Sequence, residues 1–339
     1  MRELAMTTSI ILSLAFCMGC ASSPNTQARH DRNIGAPGSA EQAEGGSRVV
    51  VQYAGGRLTM ADLIPTMIER AGGEAIELAL LDRLLTAQLA EAGLIVGEPQ
   101  FSAEQEQLLA SQAAYAGALS DDERAEIYRA FIRERGLSDE AFRALIRRNA
   151  MLRAIVAPTV TVSDLEIRRT HALIHGEKYL LRLIVTSTAS EASEARRRIR
   201  EGDGPLGARF AQVARAMSTD GSAEAGGLID PVSPLDPIAP RAILETMNTL
   251  GPGELSEVFS FGPGGDGRAG VLMVEAVLPP DGVTLDTSRE RIARQLRLGK
   301  ERLAMQELGV RLIRDADVVV LDEPLFRAWL RHTRARSTR

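Results

Sequence analysis

Histidine, the usual general base near neutral pH, occurs only at His30, His171, His175 and His332. His171 and His175 stand four apart in a helical pattern, a spacing that can hold a metal ion. No Glu follows His171, and His30 and His332 fall in segments that read as tether and tail. The pair therefore reads as exposed side chains, and no metal or other cofactor is expected. Histidine is too scarce for a Ser-His-Asp arrangement. Gly262-Pro263-Gly264-Gly265 is a loop without the following helix and Lys-Ser/Thr of a phosphate loop. The only cysteines are Cys17 and Cys20, so the rest of the chain holds no disulfide, thiolate nucleophile or thiolate metal site. Asp220-Gly221 reads first as a turn.

The elements that must position these residues are mostly helical. Met60, Leu63, Ile64, Met67 and Ile68 recur at helical spacing across 59–71, and Ile76, Leu80, Leu81, Leu84, Leu85 and Leu89 do so across 74–92. Capping boxes at Ser102/Gln105, Ser120/Glu123 and Ser163/Glu166 mark helix starts. Gly136 closes one helix, Ser138 opens the next, and Pro158 ends that one. Near residue 178 the pattern changes. Tyr179–Val185 reads as a strand, 190–201 as a polar helix and Phe210–Met217 as a short helix. A Pro/Gly-rich stretch spans 226–240, and a further short helix covers 240–248. Val271–Val277 reads as a buried strand, closed by Pro279-Pro280-Asp281-Gly282. Helix returns over 287–314. Two short apolar strands, 48–53 and 317–321, lie at opposite ends of the helical region. An isolated strand is unstable, so the economical arrangement pairs them.

The outer segments differ. Residues 8–18 are apolar but too short for a bilayer span, and Gly19-Cys20-Ala21-Ser22-Ser23 follows, which reads as a signal peptide over 1–20. Cys20 stands where a bacterial lipoprotein is lipidated. Cleavage after Ala21 is the alternative. Residues 21–47 are Ser-, Gly- and Ala-rich and read as a flexible tether. Arg327, Arg331, Arg334, Arg336 and Arg339 make 326–339 a basic tail, read as a frayed terminus. The net charge of −5 and 4% aromatic content argue against a nucleic-acid partner. No later apolar run reaches the roughly 20 residues of a membrane helix.

Three motifs carry a resemblance. They are Phe210-Ala211-Gln212-Val213-Ala214-Arg215-Ala216-Met217-Ser218, Ser222-Ala223-Glu224-Ala225-Gly226-Gly227-Leu228, and Leu250-Gly251-Pro252-Gly253-Glu254-Leu255-Ser256. In that order they resemble the parvulin family of peptidyl-prolyl isomerases. The flanks, Gly56–Leu89, Leu137–Val185 and 286–323, resemble SurA/PrsA-type foldases. The resemblance implies an α+β fold. A discontinuous helical chaperone domain (48–177 and 283–325), closed by the N/C-terminal strand pair, would carry an inserted parvulin-like domain (178–282). It also implies an apolar proline pocket, mapped onto Leu183, Leu228, Ile229, Ile238, Ile243 and Met273. Parvulins place two histidines, a Cys or Asp, and a Ser or Thr beside that pocket. Here Leu183 and Gly270 stand at the histidine positions, Gly267 near the Ser/Thr position, and Asp220 alone is retained as a catalytic candidate. The implied function is an exported, envelope-anchored folding chaperone with a parvulin-like domain of reduced or no activity. Its partners would be unfolded or nascent exported polypeptides, and the membrane through a lipid on Cys20. Met60, Met67, Leu109, Tyr115 and Met151 are candidates to line a client groove. The alternatives are an active prolyl isomerase and an envelope scaffold with one fixed partner.

Overall fold

The computed structural model describes residues 48–112, 120–261 and 267–337. The signal segment with Cys17 and Cys20, the tether, Tyr115, the 262–265 loop and Arg339 lie outside the described residues. The fold is α+β, dominated by helices. Two compact units divide between Met67 and Ile68.

In the first unit, β1 (Val49–Tyr53) pairs antiparallel with β2 (Gly56–Thr59), and α1 (Met60–Glu91) begins. Strand 48–53 thus finds its partner across the next turn. The expected pairing with 317–321 is not formed, because 317–321 belongs to no strand among the described residues. Asp317 has φ of 45°, a left-handed turn that breaks an extended run. Met60 is half-buried and Met67 is 54% exposed.

The second unit holds the rest of α1, then α2 (Glu98–Gln112), α3 (Asp121–Arg135), α4 (Asp139–Val156) and α5 (Asp164–His175). After the α/β part come α9 (Leu285–Arg314) and α10 (Glu323–Ser337). Leu81, Leu85 and Leu89 recur every fourth residue of α1, so they share one face. They pack with Met151, Leu152 and Val156 of α4 and with Met305 and Leu308 of α9. Phe131, Phe142 and Ile146 form a smaller cluster joining α3 and α4. Ser120 and Ser163 make complete capping boxes. Ser102 does not cap a helix, because α2 already starts at Glu98. Met151 is 8% exposed and packs in the core of α1, α4 and α9 rather than lining a groove, whereas Leu109, 3% exposed, lines a hollow between α2 and α3 with Glu106, Arg124 and Tyr128.

The helical spacings over 59–71 and 74–92 form one helix, α1, which runs through Gly72-Gly73 without a break. The reason is α10. A Cβ on Gly73 would lie 2.5 Å from the His332 Cβ and 2.7 Å from the Ala328 carbonyl oxygen. The glycines let two helix backbones touch. Glu77 of α1 then bonds His332 and Arg336 of α10, and Arg331 donates to the Glu69 carbonyl. The basic C-terminal segment is therefore a docked helix, not a frayed end.

Between α5 and α9 lies the α/β part: β3 (Lys178–Thr186), α6 (Ala189–Glu201), α7 (Leu206–Met217), α8 (Arg241–Met247), β4 (Phe259–Ser260) and β5 (Ala269–Leu278). The antiparallel sheet has the order β3-β5-β4. Period-2 alternation divides its side chains between two faces. Ile184, Val271 and Met273 pack under Ala192, Ala195 and Ile199 of α6 and Phe210 and Ala214 of α7. Leu181, Leu183, Val185, Leu272 and Val274 face Ile243 and Met247 of α8.

Candidate functional site

Leu183 and Gly270, the positions at which the resemblance expects histidines, lie on β3 and β5. Leu183 is 5% exposed and pairs in register with Leu272. It packs with Val185, Val232, Ile243 and Met247, and Ile229, Phe259 and Phe261 close the edges of the cluster. Gly270 lies in register with Val185 on one side and Phe259 on the other. A Cβ on Gly270 would stand 2.7 Å from the Cζ of Phe259 and 3.1 Å from the Cε2 atoms of Phe259 and Phe261. The two rings lie 5.3 Å apart at an interplanar angle of 56°. They fill the space that an imidazole at position 270 would need.

The polar groups nearby are already bonded. Asp220 accepts from the Ser222 N–H at 2.9 Å and from its hydroxyl at 2.5 Å. Its own N–H donates to the Ser218 Oγ at 3.2 Å. This is an Asx turn, the structural role an Asp-Gly pair often plays. The Ser256 Oγ accepts from the Leu272 N–H at 2.9 Å, and the Thr186 hydroxyl donates to the Thr188 carbonyl at 2.8 Å. Stabilising a twisted amide calls for polar groups poised toward it. These are turned into the fold.

The Gly226-Gly227 motif has a geometric cause. Both residues have positive φ, 69° and 77°. A Cβ on Gly227 would lie 2.6 Å from the Leu183 carbonyl oxygen. The loop can therefore lie flat on β3, where the Gly227 carbonyl accepts from the Leu183 N–H at 2.7 Å. From there, Ile229 and Val232 continue bonding along the same edge of β3.

Of the expected pocket residues, Leu183, Ile229 and Ile243 come together in one cluster. Met273 does not join them. It is 2% exposed on the opposite face, under α6 and α7. Leu228 stands opposite Arg182 and is 37% exposed. Ile238 is 67% exposed on the loop before α8. Phe259 and Phe261 were not anticipated. Their Phe-x-Phe alternation, ahead of a glycine in the neighbouring strand, is the signal that points to them.

His171 and His175 are also not a free exposed pair. His175 is 8% exposed, and its Nδ1 lies 2.7 Å from the Asp281 carboxylate. That hydrogen bond first, and one from the Val283 N–H second, hold the Asp281 carboxyl below its ordinary range. Among the described residues, no group of three or more metal-ligating side chains converges.

No protein-family model matches the chain, and no curated protein matches it. The chain is similar to solved PrsA structures. One is the peptidylprolyl isomerase PrsA of Bacillus cereus, at 17% identity and a TM-score of 0.39, covering 84% of this chain and 98% of that one. PrsA of Bacillus anthracis matches at 17% identity and a TM-score of 0.41, over 74% of this chain and 100% of its own. A SurA-like chaperone of Campylobacter jejuni matches at 15% identity and a TM-score of 0.29, over 67% and 97%. At these values the likeness carries no functional weight.

Proposed function

We propose that this chain is a folding helper that binds unfolded or proline-containing polypeptide segments without catalysing prolyl isomerisation. One observation carries the second half of the reading: Phe259 and Phe261 occupy the space beside Gly270 where a catalytic imidazole would stand. Leu183 in the core and Asp220 in a turn agree with it. The binding half is supported by the three motifs that resemble parvulins and by their setting between α5 and α9. It is supported also by apolar side chains left in solvent around the Pro-rich 231–240 segment. Leu235 and Ile238 there are 52% and 67% exposed, and exposed apolar groups of this kind suit extended, apolar clients.

Export and lipid anchoring through Cys20 belong to the same proposal, with cleavage after Ala21 as the alternative. Among the described residues, no helix is long and apolar enough to cross a membrane. The test is suppression of aggregation of a chemically unfolded client at equimolar chaperone. Substituting Leu235 and Ile238 by Asp should weaken the suppression several-fold. Full suppression by that variant rejects the 231–240 segment as the binding surface. No suppression by the parent chain rejects the binding function and favours a scaffold with one fixed partner.

A further inference from the structure

The chain passes between the helical part and the α/β part at two places, residues 176–177 and residues 279–284. Both crossings meet at His175, the last residue of α5. The Asp281 N–H donates to the His175 carbonyl at 3.3 Å. The His175 Nδ1 lies 2.7 Å from the Asp281 Oδ2, and its Nε2 lies 3.0 Å from an Arg291 Nη2 on α9. A guanidinium only donates. Nε2 is therefore the acceptor, and Nδ1 carries the proton given to Asp281. One turn earlier, the His171 Nε2 lies 2.9 Å from the Val283 carbonyl oxygen, so it donates there. The His171 and His175 rings are 5.2 Å apart.

We propose that His175 is the latch of a hinge between the two parts. A neutral imidazole bridges the second crossing, through Asp281, and the helix that follows it, through Arg291. Neither partner alone fixes both. Gly176 and Gly282, on the two crossings, lack side chains that would stiffen the chain. With the latch closed, the two crossings move as one body. With it removed, the Asp281 N–H bond to the His175 carbonyl and the His171 bond to Val283 remain, and the two parts swing more widely about them. This inference does not depend on what the chain binds.

The test measures the spread of distances between spin labels on the full chain with Cys17 and Cys20 replaced by serine. One label sits at Ser193→Cys on α6 and the other at Glu307→Cys on α9, both exposed positions. His175→Ala should at least double the width of the distance distribution. Arg291→Met, which leaves the Asp281 bond in place, should broaden it less. A control pair within the α/β part, Ser193→Cys with Asn248→Cys, should keep its width. An unchanged width between the two parts in both variants overturns the proposal. Equal broadening of the control pair overturns it too, because the loss is then general loosening and not a hinge.

Discussion

At the scale of single residues, the candidate site is decided by what touches Gly270. A Cβ there meets two aromatic rings, so Gly270→Ala overpacks the site and should cost about 1–3 kcal/mol. The cost should shrink clearly when Phe259→Ala is present, because the variants share one contact. Urea denaturation of the four members of this cycle measures it. Equal costs in both backgrounds would mean that the rings do not occupy the site. A second residue-scale prediction concerns Glu166. Its bond to Lys300 first, and the capping bonds from Ser163 second, hold its carboxyl down at about 2. The ordinary value of such a carboxyl is 4.5. A folded-state value below the unfolded one gives stability that is fully present above pH 4.5 and lost as pH falls toward 2. Lys300→Met should move the carboxyl titration, followed by NMR, back toward the ordinary value. A titration that stays near 2 in that variant would assign the shift to the cap alone.

At the scale of elements, much was legible because local signals are strong. The boxes at Ser120 and Ser163, the every-fourth leucines of α1 and the strands β3 and β5 all depend on residues close in sequence. Ser102 failed as a cap because helix α2 extends upstream through Pro99, a residue tolerated in a first turn. The role of Gly72-Gly73 was not legible, because its explanation is α10, far away in sequence. Gly73→Ala should lift α10 from α1. Trp329, the sole tryptophan, is 9% exposed on α10. Its emission should shift to longer wavelength in that variant, and unchanged emission would contradict the close packing. Across α2, α4 and α9, Arg153 bonds Glu104 at 2.6 Å and Glu301 at 2.5 Å. Burial pulls the Arg153 guanidinium down, but the bonds to Glu104 and Glu301 outweigh it and keep the group above its ordinary value. Arg153→Met leaves two buried carboxylates, 6% and 4% exposed, without that cation. It should destabilise the fold by about 3–5 kcal/mol, measured by chemical denaturation. A loss below about 1 kcal/mol would show the carboxylates to be solvated.

At the scale of the whole molecule, the sequence showed an α/β insertion between helices, but not how the ends of the chain are finished. The strand segment 48–53 reads the same whether its partner is adjacent or distant, and the antiparallel pairing of β1 with β2 decides for the adjacent one. The missing histidines at positions 183 and 270 were visible in the residues. What stands in their place, Leu183 in a packed cluster and an aromatic pair against Gly270, depends on tertiary contacts that periodicity does not encode. The central claim is a polypeptide-binding frame without isomerase chemistry. Exchange NMR on an X-Pro peptide tests both halves in one sample. Peaks that move on adding the protein, with cis/trans exchange still at the uncatalysed tens-of-seconds scale, are the result expected. Exchange accelerated to the rate of an intact parvulin would contradict the account.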